Sequence, residues 1–567
     1  MRSARRWILA PNGTDAPAFS ESACGLPFIA RLLHRKGLRS DEEVAAFLRP
    51  RLARLSDPFL LPCMRVAVER ILRGIDGGER LVLYGDYDVD GITSLALLNE
   101  MLTAYGAAPA LFLPSRMEEG YGLSHEGIER CWQEHQPQLL IAVDCGTSSC
   151  AEISDLCARG TEVIVLDHHE PKGELPKCVA VVNPKTAGDG EFTYLCSVGL
   201  VFKLCHALLK TRPLADFDLR ARLDLVALGT VADIVPLEAE NRILVHHGAR
   251  QMARRRLLGV SRLMEVAAVR PPIVSEHIGF RLGPRLNAAG RLTSAEKALR
   301  LLVSADAVET LALAGELDSQ NRQRQGVERE IVAAAEEKIV SKNLADAPAI
   351  VLGEKGWHPG VLGIVASRIS KAYHRPTIIV GFDENGVGKG SGRSIAGFSL
   401  VAALGRCATH LEKFGGHEMA AGLTISQKNF PRFAGAFEEV CRGELSAEQL
   451  EPRLHLDGEL RLRELNWELL RWHELLQPFG QGNPQPLFLA RGVEPAAPSQ
   501  TLKEKHLALR LQQDGCYQRA IFFGGAAAPL PAPPWDVAFR IGADEWEGEQ
   551  RLQMIVEAIR TAEPDDE

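Results

Sequence analysis

Apolar residues in the first third of the chain come in short, nearly unbroken runs. Arg80-Leu81-Val82-Leu83-Tyr84 closes on Gly85, and Ala110-Leu111-Phe112-Leu113, Leu139-Leu140-Ile141-Ala142-Val143 and Val163-Ile164-Val165-Leu166 repeat the theme. Helical periodicity separates them, first from Ile92 to Leu102. Unbroken apolar strands alternating with helices predict a parallel sheet covered on both faces. Each run ends in polar residues, and such sheets bind ligands at the carboxyl ends of their strands. A helical pattern also occupies Ser40–Leu55, before a turn near Leu61-Pro62. The stretch from Ala295 to Lys342 is almost free of Pro and rich in Ala, Leu, Glu, Arg and Gln, which predicts long helices. A second α/β region starts at Ala349-Ile350-Val351-Leu352 and includes Thr377-Ile378-Ile379-Val380. Past Glu451, alternation in His506–Leu511 and Trp535–Ile541 predicts a small β-barrel.

At 567 residues the chain exceeds what one hydrophobic core serves, and about 150 residues per domain gives three to four domains. Hydrophobic residues at 46% and charged residues at 24% exclude a disordered chain. The longest uncharged stretch, Ala520–Trp535, holds Pro529, Pro531, Pro533 and Pro534 and reads as a loop, so no membrane span is expected. The basic N-terminus meets Pro11-Asn12-Gly13 before an apolar core can form, so no secretory segment is expected. Twelve cysteines without a CxxC pair suit reduced thiols in a cytoplasmic protein. With 65 basic and 73 acidic residues, the net charge is −8, and a polyanion needs a local basic patch.

Four segments carry chemistry. Gly85-Asp86-Tyr87-Asp88-Val89-Asp90-Gly91 sets three carboxylates at a strand end. They repel one another unless a cation intervenes, and an extended backbone would point all three the same way. A solvated turn or a helix cap before Ile92 is the bland alternative. The spacing is not GxGxxG, a Walker A motif is absent, and three carboxylates would repel a pyrophosphate. Val143-Asp144-Cys145-Gly146 reads equally as a ligand or a helix N-cap. Leu166-Asp167-His168-His169-Glu170 joins imidazole to carboxylate, a set for Mn²⁺, Zn²⁺ or Fe²⁺, whereas carboxylates alone suit Mg²⁺. Asp233 interrupts the apolar Gly229–Pro236 stretch, which costs several kcal/mol unless the carboxylate is paired or bound to metal. Together the four segments predict a metal site. Elsewhere Arg281, Arg285 and Arg291 form a basic stretch, and Gly388–Ser394 reads as a Gly-rich loop whose N–H groups could hold an anion.

The order Asp88/Asp90, Asp144, Asp167-His168-His169, Asp233 resembles the DHH phosphoesterase superfamily. The resemblance continues through Phe112-Leu113-Pro114-Ser115-Arg116 with Glu119-Gly120-Tyr121-Gly122, and through Gly283-Pro284-Arg285-Leu286-Asn287-Ala288-Ala289-Gly290-Arg291. Trp357-His358-Pro359-Gly360, Gly415-Gly416-His417-Glu418-Met419-Ala420-Ala421-Gly422 and Pro478-Phe479-Gly480-Gln481-Gly482-Asn483-Pro484 complete it over about residues 80–490. Within the superfamily the chain is most similar to the single-strand-specific exonucleases. There are two departures. Tyr84 stands where many members carry a ligating His, implying fewer His ligands. Cys196-Ser197-Val198-Gly199 has Ser where Gly is usual, implying only a local change of packing.

The resemblance implies an α/β fold of two α/β domains, DHH and DHHA1, joined by long helices, plus a C-terminal OB-fold β-barrel. The expected bounds are 1–75 for an N-terminal segment packing on the catalytic core, 76–300 for DHH, 301–345 for the connecting helix, 346–450 for DHHA1 and 451–567 for the OB-fold. It implies a 5′→3′ exonuclease on single-stranded DNA that releases 5′-mononucleotides in recombination and repair, using two Mn²⁺ or Mg²⁺ ions. Asp88, Asp90, Asp144, His168 and Asp233 would be the ligands, one Asp bridging. Asp86 and Asp167 would orient ligands, and His169 would stabilise charge on the scissile phosphate. Arg116, Arg291, Ser391 and Arg393 would hold the 5′ end, with Arg285 and His417 as further substrate contacts. Stacking candidates in the barrel are Tyr517, Phe522, Phe523, Trp535 and Trp546. Implied partners are single-stranded DNA, a single-strand-binding protein and a RecQ-type helicase, with no membrane, for a monomeric cytoplasmic enzyme. Two other readings compete. One is a phosphodiesterase on short oligoribonucleotides or cyclic dinucleotides, whose members are shorter and lack the barrel. The other is an inactive DNA-binding scaffold, which would tolerate loss of the ligands retained here.

Overall fold

The computed structural model describes residues 5–11, 19–20, 24–115, 119–120, 122–188, 190–292, 294–546 and 549–563. The chain divides into a larger unit (residues 8–290, 294–315 and 455–567) and a smaller one (1–7, 291–293 and 316–454).

A short strand, Arg6–Leu9 (β1), precedes Pro27–Arg35 (α1), Asp41–Leu48 (α2) and Met64–Asp76 (α3). Ser40 and Glu43 close a reciprocal capping box on α2, which sets where that helix begins. In the larger unit the sheet comprises Leu81–Gly85 (β2), Ala110–Phe112 (β3), Leu139–Val143 (β4), Glu162–Leu166 (β5) and Ala180–Val182 (β6). Its order is β3-β2-β4-β5-β6, parallel throughout. β2 and β4 are buried along their whole length, which is why they read as unbroken apolar runs. Val89–Ala104 (α4), His125–His135 (α5) and Cys150–Ala158 (α6) connect the strands. Ser197–Thr211 (α7), Leu223–Ala232 (α8), Ala239–Ala253 (α9), Leu258–Val266 (α10) and the short Ser275–His277 (α11) follow. Gly283–Leu292 (α12), Glu296–Val303 (α13) and the 35-residue Ala307–Ser341 (α14) complete the series. No helix among the described residues is long and apolar enough to cross a membrane.

The smaller unit holds Ile350–Lys355 (β7), Pro359–Tyr373 (α15), Thr377–Phe382 (β8), Val387–Arg393 (β9), Lys413–Gly416 (β10) and Ala420–Ser426 (β11), in the order β10-β11-β9-β8-β7. The Gly-rich segment expected as an anion-binding loop is the strand β9, laddered on both sides to β8 and β11. Its glycines serve close packing: an added Cβ would lie 2.6 Å from Phe382 at Gly388, 2.8 Å from Leu423 at Gly390 and 2.8 Å from Leu400 at Gly392.

Arg453–Leu456 (β12) pairs with β1, and Gly458–Glu459 (β13) with Phe488–Pro495 (β14). Gln500–Leu502 (β15), His506–Gln513 (β16), Cys516–Phe522 (β17), Trp535–Trp546 (β18) and Glu549–Thr561 (β19) follow. The cycle β14-β18-β19-β17-β16 closes through β14–β16 pairing into a five-stranded barrel. One expectation is corrected here. The first 75 residues do not all pack on the catalytic sheet: Phe28, Ile29, Leu32 and Leu33 of α1, with Val44 and Leu48 of α2, share a core with Phe488, Trp535, Phe539 and Val556 of the barrel. α3 packs against β6 and α7, and the turn Pro58–Leu60 also packs against α7. The apolar stripes of α1 and α2 are visible locally, but which sheet they cover is decided some 450 residues away.

Candidate metal centre

At the end of β2 the chain turns sharply into α4. Asp88 is the N-cap of that helix, its Oδ1 accepting the N–H groups of Asp90 at 2.9 Å and Gly91 at 3.2 Å. The three aspartates are therefore not on an extended segment; the helix entry gathers them. A Cβ at Gly91 would lie 2.3 Å from the Asp86 carbonyl oxygen, so only glycine lets this turn fold back on Asp86. Asp90 points into the protein, where Oδ2 accepts Ser197 N–H at 2.7 Å and Oδ1 accepts Val198 N–H at 2.9 Å. The first turn of α7 thus faces its positive end to a carboxylate. Gly229 of α8 keeps this contact close, because a Cβ there would meet Thr93 Oγ1 at 2.4 Å and Asp90 Oδ1 at 3.1 Å.

Asp144 follows β4 with φ of +64°, a backbone uncommon for a residue with a Cβ. It caps no helix, since α6 begins at Cys150 behind Ser149. Its Oδ1 accepts the Ser197 hydroxyl at 2.9 Å. The Ser197 departure is therefore more than the packing change expected from sequence. Asp233 ends α8, and Ile234 after it has φ of +63°, a further strained position at the same place. After β5, Asp167 Oδ1 accepts the His168 N–H at 2.8 Å and lies 2.7 Å from His169 Nδ1. Thr147 N–H donates to Asp167 Oδ2 at 3.0 Å, a support that nothing in the sequence marked.

Three groups of potential ligand atoms lie within 4.8 Å of one another: Asp86, Asp88 and Asp144; Asp90, His168 and Asp233; and Asp144, His168 and His169. Asp144 and His168 each belong to two groups and join all three. His168 Nε2 stands 3.4 Å from Asp144, 3.6 Å from Asp233 and 3.9 Å from Asp90. Burial first, then the neighbouring carboxylates, push Asp90 up to about 7 and Asp233 up to about 9, and raise Asp144 well above the carboxylate range. Burial and the His169 imidazole lower His168 to about 3, keeping it neutral, the form that ligates metal. His168 Nε2 and Asp233 Oδ2 are buried without a hydrogen-bond partner. Orphaned lone pairs among mutually repelling carboxylates fit a divalent cation, which would satisfy both.

Tyr84 does not replace a ligand: its hydroxyl donates to Gly122 O at 3.1 Å and its ring stacks on Phe112. Arg116 and Tyr121 lie outside the described residues. Arg285 is half-buried in α12 and donates to Arg281 O at 2.6 Å. In the smaller unit, three predicted residues meet around the first turns of α15. Arg291 donates to Gly360 O at 3.2 Å and Arg393 to Ser391 Oγ at 3.2 Å, while a Cβ on Gly363 would lie 3.0 Å from Arg393 Nη2 and 3.1 Å from Ser391 Oγ. His417 is exposed in the β10–β11 turn. On the barrel Tyr517 and Phe523 are exposed, Phe522 is half-buried and Trp535 is core; the Trp546 side chain lies outside those described.

Carboxylates and imidazoles at the strand ends of a parallel sheet, followed by a second α/β body, define a DHH-type phosphoesterase. Residues 80–230 match the DHH family, N-terminal domain, and residues 346–443 match the DHHA1 domain. Residues 456–558 match the RecJ OB domain. The chain is 35% identical over 573 residues to the single-stranded-DNA-specific exonuclease RecJ of Dickeya dadantii, covering 96% of this chain and 97% of that protein. It is 33% identical to the Bacillus subtilis enzyme of the same name, covering 99% of this chain and 72% of that one. The crystal structure of RecJ in complex with Mn²⁺ from Thermus thermophilus superposes with a TM-score of 0.85 at 32% identity, covering 100% of this chain and 81% of that one. The Mg²⁺ complex from the same organism gives 0.77 at 30% identity, covering 99% and 79%. The chain belongs to the RecJ family.

Proposed function

We propose that this chain is a single-stranded-DNA-specific exonuclease that works 5′→3′, releases 5′-mononucleotides and serves recombination and repair. The observation that carries this reading is the joined set of carboxylates and imidazoles at the strand ends, with the orphaned His168 Nε2 and Asp233 Oδ2 at its centre. A bound pair of Mn²⁺ or Mg²⁺ ions supplies an acidified water and offsets charge developing on the phosphate. Asp88, Asp90, Asp144, His168 and Asp233 would hold them, and Asp86, grouped with Asp88 and Asp144, would join the set.

Asp167 fixes His169 through Nδ1, so Nε2 is the atom that meets a phosphate oxygen. Burial disfavours a charged His169, but the Asp167 hydrogen bond and the carboxylates Asp90 and Asp88 outweigh it, so its pKa lies above that of ordinary imidazole. A protonated ring there stabilises negative charge. Arg291, Ser391 and Arg393, at the N-terminal turns of α15, suit a terminal 5′-phosphate, where guanidinium groups and the helix dipole act together. Arg116, Arg285 and His417 are further candidate substrate contacts. The barrel grips single-stranded DNA through backbone charge and stacking, with the exposed Tyr517 and Phe523 as platforms. We assign residues 76–300 to the DHH domain, 301–345 to the connecting helix, 346–450 to DHHA1 and 451–567 to the OB-fold. The enzyme acts as a cytoplasmic monomer, supplied with strand by a single-strand-binding protein and a RecQ-type helicase.

Degradation of a 5′-labelled and a 3′-labelled single strand, with and without Mn²⁺, tests the reading. The 5′ label should leave first, as a mononucleotide, and only with metal. Early release of the 3′ label, or equal digestion of a blunt duplex, would overturn it.

A further inference from the structure

Ser197 is fully buried at the start of α7, and its hydroxyl donates to Asp144 Oδ1 at 2.9 Å. Its own N–H donates to Asp90 Oδ2 at 2.7 Å, and the next N–H, that of Val198, to Asp90 Oδ1 at 2.9 Å. One residue therefore holds a carboxylate from each side of the centre: Asp90 of the Asp90, His168 and Asp233 group, and Asp144 of the Asp86, Asp88 and Asp144 group. The hydroxyl has no capping duty, because Cys196 occupies the N-cap position of α7 and the exposed N–H groups of its first turn are taken by Asp90.

We propose that Ser197 is a positioning residue for Asp144, and that through this carboxylate it raises the affinity of the centre for divalent metal. The proposal rests on the metal-centre reading above. Asp144 leaves β4 with φ of +64°, and its carboxylate lies within 4.8 Å of those of Asp86 and Asp88, whose repulsion favours swinging it away. A neutral hydroxyl donor holds the carboxylate inward without adding charge. It occupies one lone pair of Oδ1, and an ionised carboxylate carries several more with which to meet an ion. Partners of this kind behind a ligand commonly change metal affinity by about 10–100-fold. Glycine at this position would supply the same backbone donor to Asp90 and nothing to Asp144.

Calorimetric titration of the metal-stripped full-length protein with Mn²⁺ tests this, comparing wild type with Ser197→Ala, Ser197→Gly, Ser197→Thr and Asp144→Asn. Ser197→Ala and Ser197→Gly should bind Mn²⁺ about 10–100-fold more weakly, and Ser197→Thr, which keeps the hydroxyl, should stay within about threefold of wild type. Ser197→Gly covers the case in which alanine disturbs folding. Unchanged affinity in the alanine and glycine variants overturns the proposal, as does an equal loss in the threonine variant, which would mark a packing role. Asp144→Asn separates the two levels of inference. If it binds Mn²⁺ like wild type, the metal centre itself is wrong; if it loses Mn²⁺ while Ser197→Ala does not, only the role of Ser197 falls.

Discussion

His169 Nδ1 and Asp167 Oδ1 stand 2.7 Å apart, and the second oxygen of that carboxylate takes the Thr147 N–H at 3.0 Å. Burial alone would make Asp167 harder to ionise, yet the His169 and Thr147 hydrogen bonds outweigh it and hold the group well below the usual carboxylate range. The pair fixes both the tautomer and the aim of His169. Asp167→Asn preserves shape but withdraws the charge and inverts one hydrogen bond. Its kcat on single-stranded DNA should fall about 10–100-fold with little change in KM. Steady-state kinetics within twofold of wild type would remove the pair from the mechanism.

Carboxylates raised by burial and by each other make the metal-free centre a source of instability near neutral pH. Chelation should therefore lower the melting temperature, and Mn²⁺ at a hundred times its Kd should restore about 2.7 kcal/mol. Asp144→Asn should melt higher than wild type in EDTA, gain little from Mn²⁺, and lose nearly all nuclease activity. A melting temperature in EDTA equal to or below that of wild type would show that repulsion at Asp144 costs the fold nothing.

Distance from the site gives a cleaner pH experiment. His473 is buried on the helix Trp467–Leu475, its ring 5.1 Å from that of Phe479, with neither ring nitrogen hydrogen-bonded. Burial lowers its pKa to about 4. The unfolded chain, with an imidazole near 6.5, binds the proton more readily, so stability falls as pH drops from about 6.5 toward 4. Between pH 7 and pH 5 the loss is about 2 kcal/mol. His473→Leu removes this contribution, so the stability of the variant relative to wild type should rise across that interval. Parallel denaturation curves for the two proteins at pH 7 and pH 5 would refute the assignment.

Arg393 is half-buried, with its guanidinium beside Ser391 and the N-terminal turns of α15. Arg393→Ala should raise KM for 5′-phosphorylated strands about tenfold, the worth of one charge-assisted phosphate contact, and leave 5′-hydroxyl strands nearly unaffected. An unchanged ratio between the two substrates would show that Arg393 does not read the terminus.

How far these features were legible in sequence depends on whether their cause is local. β2, β4 and β5 announce themselves because strands buried on both faces cannot carry polar residues, and the aspartates that end them stand out for the same reason. Asp88 posed a false choice between helix cap and ligand, since one oxygen caps α4 while the group joins a ligand cluster. β9 was misread because glycine disfavours strands; here Phe382, Leu423 and Leu400 press so close that larger residues do not fit. β6, only three residues long, has no periodicity to detect. Ser197 and Thr147 reach their carboxylates across 53 and 20 positions of chain, and no local pattern encodes such pairings.

The burial of α1 and α2 among the strands of the barrel has a consequence for biosynthesis. Phe28 and Ile29 precede Trp535, Phe539 and Val556 by about 500 positions of chain. Until the barrel strands are made, α1 and α2 lack the core that their apolar faces join. The parallel sheet between them can mature while the nascent chain still grows, but the barrel cannot. Joining α1 and α2 to the barrel is thus a slow non-local step, and chains that lack the barrel strands leave apolar helix faces open to aggregation.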